Sequence, residues 1–214
     1  MSEATGLLRE PWEYFERQRG AGKFGIWVFV ASEVLFFGAL MLTYTVCRID
    51  HQNAFAAAGR ETNIWYGTLN TAILLTSSLT MAVASQAAAA GHHSRRLVIS
   101  CLASTAALGL GFLVVKAFEY KEDIDKHLVP GAQFALHEVG AQLFFGLYWL
   151  ITGVHAIHLT IGIVLVVRLA LLGQLGKLQL DENPEVEVTG LYWHLVDIVW
   201  IFLYPLIYLP GRAS

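Results

Sequence analysis

Phe24–Val46 reads FGIWVFVASEVLFFGALMLTYTV, an apolar run with one charged side chain, Glu33, and its length decides the fold. A helix rising about 1.5 Å per residue needs about twenty residues to cross roughly 30 Å of hydrocarbon, and this run is long enough. Four further runs of comparable length follow it: Trp65–Ala90, Leu97–Tyr120, Leu143–Leu172 and Leu191–Pro210. Backbone groups in a bilayer have no water to bond, and the period-2 alternation of barrel strands is absent, so the runs are helices. The sequence predicts an all-α integral membrane bundle of five transmembrane helices, a single domain over residues 24–214 that follows an N-terminal cytoplasmic segment, residues 1–23.

Composition agrees with a lipid-embedded chain. The 214 residues are 56% hydrophobic with mean hydropathy +0.53, and only 14% are charged, against about 25% in soluble domains. So little charge could not cover a soluble surface without large apolar patches. A disordered, collagen-like or disulfide-scaffold protein is excluded. A net charge of −3 leaves no basic surplus to track phosphates, so nucleic acid is not an expected partner. Cys47 and Cys101 fall at different depths and are expected to be free thiols.

Lys and Arg in the short flanks set the orientation. Eight lie on one side (Arg9, Arg17, Arg19, Lys23, Arg95, Arg96, Arg168, Lys177) and six on the other (Arg48, Arg60, Lys116, Lys121, Lys126, Arg212). The bias places the N-terminus inside and the C-terminus outside. The first run is too long for a signal-peptide core and is expected to stay as a span. Trp12–Arg19 mixes aromatic and charged side chains and is expected to form a short interfacial helix. Arg48–Ile64 and Lys121–Gln142 are expected to be connections without folded domains.

Ionisable groups inside the spans are functional candidates, because a charge at mid-bilayer costs about 2.5–3.5 kcal/mol on insertion scales. Glu33 lies ten residues after Lys23, about 15 Å deep. It is open to a proton-relay role or to fixing helix register. His155 and His158, three apart in the fourth span, share a helix face, and Glu33 on another helix can meet them. The alternative for the histidines is interhelical hydrogen bonding. His194 and Asp197 start the fifth span beside Tyr192 and Trp193, which suit an interfacial belt, with Asp197 near a positive helix end. Lys116 and Glu119 form an i,i+3 pair at the outer end of the third span. His92 and His93 lie in a polar loop. Two carboxylates with His-x-x-His and His-x-x-Asp invite comparison with a membrane di-metal enzyme, but only Glu33, His155 and His158 are expected at one level, too few acids for such a site. No metal site and no catalytic residue is expected on this chain. Small residues (Thr71 through Ser85, and Gly109, Gly111, Gly146, Gly153, Gly162) favour close helix packing, within the bundle or against another subunit.

Several spaced stretches resemble one family, subunit III of the haem–copper oxidases. Ala31-Ser32-Glu33-Val34-Leu35-Phe36-Phe37 is similar to its Ser-Glu-Val-hydrophobic-Phe-Phe stretch. Leu69-Asn70-Thr71 opens the second span as in the family, and Ala117-Phe118-Glu119-Tyr120 resembles its Ala-x-Glu-Tyr. Thr152-Gly153-Val154-His155-Ala156-Ile157-His158 is similar to Thr-Gly-x-His-x-x-His. Trp193-His194-Leu195-Val196-Asp197-Ile198-Val199-Trp200 resembles Trp-His-Phe-Val-Asp-x-Val-Trp, with Leu195 in place of Phe.

The resemblance implies an accessory subunit of a terminal respiratory oxidase in the bacterial plasma membrane, which reduces O2 to water and pumps protons. Such a subunit binds no haem or copper of its own; these sit in partner subunits. It contacts oxidase subunit I directly, assembles with subunit II and others, holds phospholipid between helices, and supports proton uptake and stability of subunit I. Glu33 would be the family's carbodiimide-reactive carboxyl, near His155 and His158, while Glu119, Trp193, His194, Asp197 and Trp200 would be signature positions. Longer members have seven spans, with two more at the N-terminus. A quinol oxidase subunit III and a subunit III-like accessory protein of nitric oxide reductase are the alternatives, and a stand-alone membrane di-metal enzyme is disfavoured.

Overall fold

A computed structural model describes residues 15–90, 95–131, 134–136, 138–176 and 184–212, with side chains from Phe24 onward. It contains six helices among the described residues: α1 (Phe15–Asp50), α2 (Gln52–Glu61), α3 (Ile64–Ala89), α4 (Arg95–Asp125), α5 (Val139–Gln174) and α6 (Pro184–Tyr208). All but α2 are long and apolar enough to cross a membrane.

Helices α1, α4, α5 and α6 outrun, at one end or both, the apolar stretches that signal them, while α3 matches its stretch to within a residue. Helix α1 begins at Phe15, so residues 15–19 continue the first span and are not a separate interfacial helix; Trp12–Tyr14 lie outside the described residues, as do His92 and His93. The connection after Cys47 is also largely helical. The chain breaks at His51, runs through α2, and re-enters at α3, where the Asn63 side chain accepts a hydrogen bond from the Trp65 N–H at 3.1 Å. Helix α4 ends with His127 at φ 55°; the Leu128 N–H bonds the Asp123 carbonyl and the His127 N–H that of Ile124, closing the last turn. Helix α6 starts at Pro184, a residue whose missing N–H and fixed φ suit the first helical turn, with Glu185 and Glu187 beside the positive helix end. That start lies seven residues before the apolar run. Asp197 is therefore thirteen residues into the helix, about 20 Å along it, and not a helix-start acid.

Helices α3, α4, α5 and α6 pack in a closed ring, α3 on α4, α4 on α5, α5 on α6 and α6 on α3. Trp193 fills its middle. Its indole lies against α4 and α5 where Gly109 and Gly162 leave room: a Cβ on Gly109 would sit 2.8 Å from Trp193 Cη2, and one on Gly162 3.2 Å from Cε3. The indole N–H donates to Ser77 Oγ on α3 at 3.2 Å. Trp193 thus belongs to the core, not to an interfacial belt, because glycines on two neighbours open a slot for it. Helix α1 stays outside the ring and packs chiefly on α5 and α6.

One end of the bundle is closed by α2 and the C-terminal segment. Phe55 of α2 meets Phe144 of α5 edge-on at 5.5 Å, and Gly140 lets α2 approach so closely that an added Cβ would lie 2.6 Å from that of Ala54. Arg60 Nε donates to the Gly211 carbonyl at 2.8 Å, while the Arg212 guanidinium reaches back to the carbonyls of Gly59, Arg60 and Thr62. At the opposite end, Arg95 of α4 binds the Gly173 and Gln174 carbonyls that end α5. Cys47 and Cys101 are free and half-buried.

Candidate functional site

Glu33 meets one of the two histidines. Its Oε2 lies 3.1 Å from Nε2 of His158, across the seam between α1 and α5, with the two side chains 17% and 18% exposed. Nδ1 of His158 lies 2.9 Å from the Val154 carbonyl, an acceptor only, so that nitrogen carries a proton. The Nε2–Oε2 contact is a hydrogen bond when one proton lies between the two groups, whichever of them carries it. The Phe37 ring packs edge-on to the imidazole at 5.2 Å, and Tyr192 OH bonds the His158 carbonyl at 3.0 Å. A carboxyl at an apolar surface, with a proton-carrying partner and little access to water, is suited to slow proton exchange or to fixing α1 on α5.

His155 is elsewhere. It turns into the ring, between Phe112 (ring centroids 5.7 Å) and Trp200 (5.0 Å), and neither of its nitrogens has a hydrogen-bond partner among the described residues. The histidines are only three positions apart, yet α5 lies between the ring interior and α1, so each faces a different side. Trp200 packs edge-on to Phe112 at 4.8 Å and donates to Thr71 Oγ1 at 3.1 Å. His194 is half-buried, with Nδ1 2.9 Å from Ser78 Oγ of α3. Asp197 is buried and its oxygens, like both polar atoms of Asn70, find no partner by strict geometry among the described residues. His194 and Asp197 thus lie along the α3–α6 contact, away from Glu33.

The third group is the most polar. Lys116 and Glu119 do pair, at 3.0 Å, but inside the ring and not at a helix end facing water. Lys116 Nζ also donates to Tyr148 OH of α5 at 3.1 Å and Tyr208 OH of α6 at 2.9 Å. Tyr208 OH donates to Glu119 Oε1 at 2.7 Å, and Tyr148 OH lies 3.0 Å from Glu119 Oε1 and 2.8 Å from Asp123 Oδ2. The sequence reading missed Asp123, Tyr148 and Tyr208. The spacing of Lys116, Glu119 and Asp123, i, i+3 and i+7, is the signal that marks one helix face; the tyrosines carry no such local mark.

Among the described residues no three His, Cys, Asp or Glu side chains converge as metal ligands.

Residues 15–212 match the family model described as cytochrome c oxidase subunit III. The chain is 30% identical over 203 residues to the cytochrome c oxidase subunit 3 of Bacillus subtilis, covering 91% of this chain and 89% of that one. It is 27% identical over 212 residues to the quinol oxidase subunit 3 of Bacillus spizizenii, covering 98% and 97%. It is also 30% identical over 192 residues to the heme-copper oxidase subunit I+III of Aeropyrum pernix, which takes in 86% of this chain and 22% of that longer protein. With the match running through all five long helices, this chain, a multi-pass membrane protein, belongs to the cytochrome c oxidase subunit III family.

Proposed function

We propose that this chain is the third subunit of a proton-pumping cytochrome c oxidase, one that supports subunit I and carries no redox centre of its own. The observation that carries the reading is the family match over residues 15–212. Direct association with subunit I is supported by the relative in which subunits I and III share one name and one chain. Glu33 paired with His158 on a lipid-facing seam supports a role in proton exchange near subunit I, and phospholipid is the natural neighbour of that seam. A quinol oxidase is the second reading, favoured by the relative that aligns with 98% of this chain.

The orientation belongs to the same proposal. Lys116 is buried against Glu119 and is not a loop charge, which leaves eight basic residues on the N-terminal side and five on the other. The N-terminus then lies in the cytoplasm, and α2 with the C-terminal segment faces outward.

The test is to tag the chain, purify it from native membranes in mild detergent, and identify the co-purifying subunits and haems. Haem a or o with copper supports the oxidase, and turnover on reduced cytochrome c or on quinol separates the two readings. Haem b with non-haem iron in a partner points to nitric oxide reductase and overturns the proposal.

A further inference from the structure

We propose that the cluster of Lys116, Glu119, Asp123, Tyr148 and Tyr208 is a proton-binding site, holding one proton beyond its ordinary ionised state on the line Asp123–Tyr148–Glu119. The inference concerns the interior of this chain and stands whichever oxidase the chain serves.

Six donor–acceptor contacts join the five side chains, at 2.7–3.1 Å: Lys116 to Glu119, Tyr148 and Tyr208; Tyr208 to Glu119; Tyr148 to Glu119; and Tyr148 to Asp123. Each contact needs one proton. An ammonium brings three and two phenols bring one each, which serves five contacts. A single phenolic hydrogen on Tyr148 cannot point to both carboxylates. With both acids ionised, one carboxylate oxygen at 3.0 Å or less faces the lone pairs of the Tyr148 oxygen, in a buried site where such repulsion is costly. A proton on Asp123 removes the conflict. Asp123 then donates to the Tyr148 oxygen, Tyr148 donates to Glu119 Oε1, and all six contacts are hydrogen bonds.

Charge points the same way. Lys116 offsets one carboxylate, and Glu119 is the better placed of the two, taking Lys116 on Oε2 and Tyr208 on Oε1. The other groups at hand leave the choice unchanged: Lys116 lies 4.9 Å from the Tyr120 ring centroid, and Lys126, one turn beyond the site, is bound to Glu122 at 2.7 Å. Protonated Asp123 makes the buried cluster neutral.

The geometry also provides a relay. The Asp123 proton passes to the Tyr148 oxygen while the Tyr148 proton passes to Glu119 Oε1, leaving Asp123 ionised, Glu119 protonated and Tyr148 restored. One proton has moved about one helical turn inward along α4, and none has been gained or lost.

The test is infrared spectroscopy of the complex purified with this chain, comparing wild type with Asp123→Asn, Tyr148→Phe and Glu119→Gln. Asn reproduces a neutral acid in shape and charge. Asp123→Asn is expected to lose one carboxylic-acid C=O band that shifts in 2H2O, with the melting temperature of the complex unchanged. Tyr148→Phe is expected to keep the band at an altered frequency, and Glu119→Gln to lower the melting temperature. A spectrum of Asp123→Asn superimposable on that of wild type overturns the proposal. So does failure of Asp123→Asn to remain in the complex, since that shows the ionised carboxylate to be what the fold requires.

Discussion

Glu33 and Lys116 both bring charge into apolar surroundings, and they are handled differently. Glu33 sits on an outer seam with one partner, so its chemistry is adjustable; Lys116 is wrapped by two phenols and a carboxylate, so it is structural first. Glu33→Gln keeps a hydrogen bond to His158 but removes the transferable proton. It is expected to leave the complex assembled and to lower turnover or proton uptake several-fold; activity identical to wild type at every pH tested reduces Glu33 to holding α1 in place. Lys116→Met strips the cation from a buried Glu119, a kind of change that costs about 3–5 kcal/mol. The expected result is loss of the chain from the purified complex or a large fall in its melting temperature. His155 and His158, alike in sequence, should separate in experiment: His158→Asn weakens the Glu33 pairing, whereas His155→Asn leaves labelling of Glu33 by a hydrophobic carbodiimide unchanged.

Elements were legible in the sequence to the extent that apolarity marks them. Five runs reported five long helices, since length and missing charge are all that a bilayer demands. Their ends were not legible, because α4, α5 and α6 continue past the apolar runs with polar residues that do not interrupt the helix. Helix α2 was hidden for the same reason, being short and rich in alanine between polar residues. The site was legible in part: the Glu33 and Lys116 positions stand out as charges in apolar sequence, but which histidine faces α1 depends on how α5 is rotated, which spacing alone does not fix. The identity of Trp193 as core rather than interface turned on glycines far away in the chain, Gly109 and Gly162. Packing at α2 gives a test at this scale. Gly140→Val places a side chain 2.6 Å from the Ala54 Cβ position and 2.9 Å from that of His51, so α2 must move. Overpacking of this sort costs about 1–3 kcal/mol, and faster proteolysis between Asp50 and Thr62 in the mutant is the expected readout.

At the scale of the whole molecule, the ring of α3 to α6 is self-contained and α1 leans on its side, so outward surfaces remain for lipid and a larger partner. Gly153 faces open space, with nothing within 4 Å of an added Cβ. Gly153→Leu is therefore expected to spare the fold and to reduce co-purification of the chain with subunit I, because a bulky side chain blocks close approach of another helix; equal co-purification argues that this face meets lipid only. For orientation, a protease-cleavable tag after Ser214 is expected to be removed from outside in intact spheroplasts, and protection of the tag reverses the proposed topology.

The position of α1 also sets an order of events during synthesis. Helix α1 has its principal neighbours in α5 and α6, and Glu33 is 125 residues ahead of the imidazole it meets. Until α5 enters the bilayer, that carboxyl travels without its partner. The contact of Arg212 with α2 can form only after α6 has been made, later than that of Arg95 with the end of α5. A chain truncated before α5 leaves α1 without the neighbours it packs on.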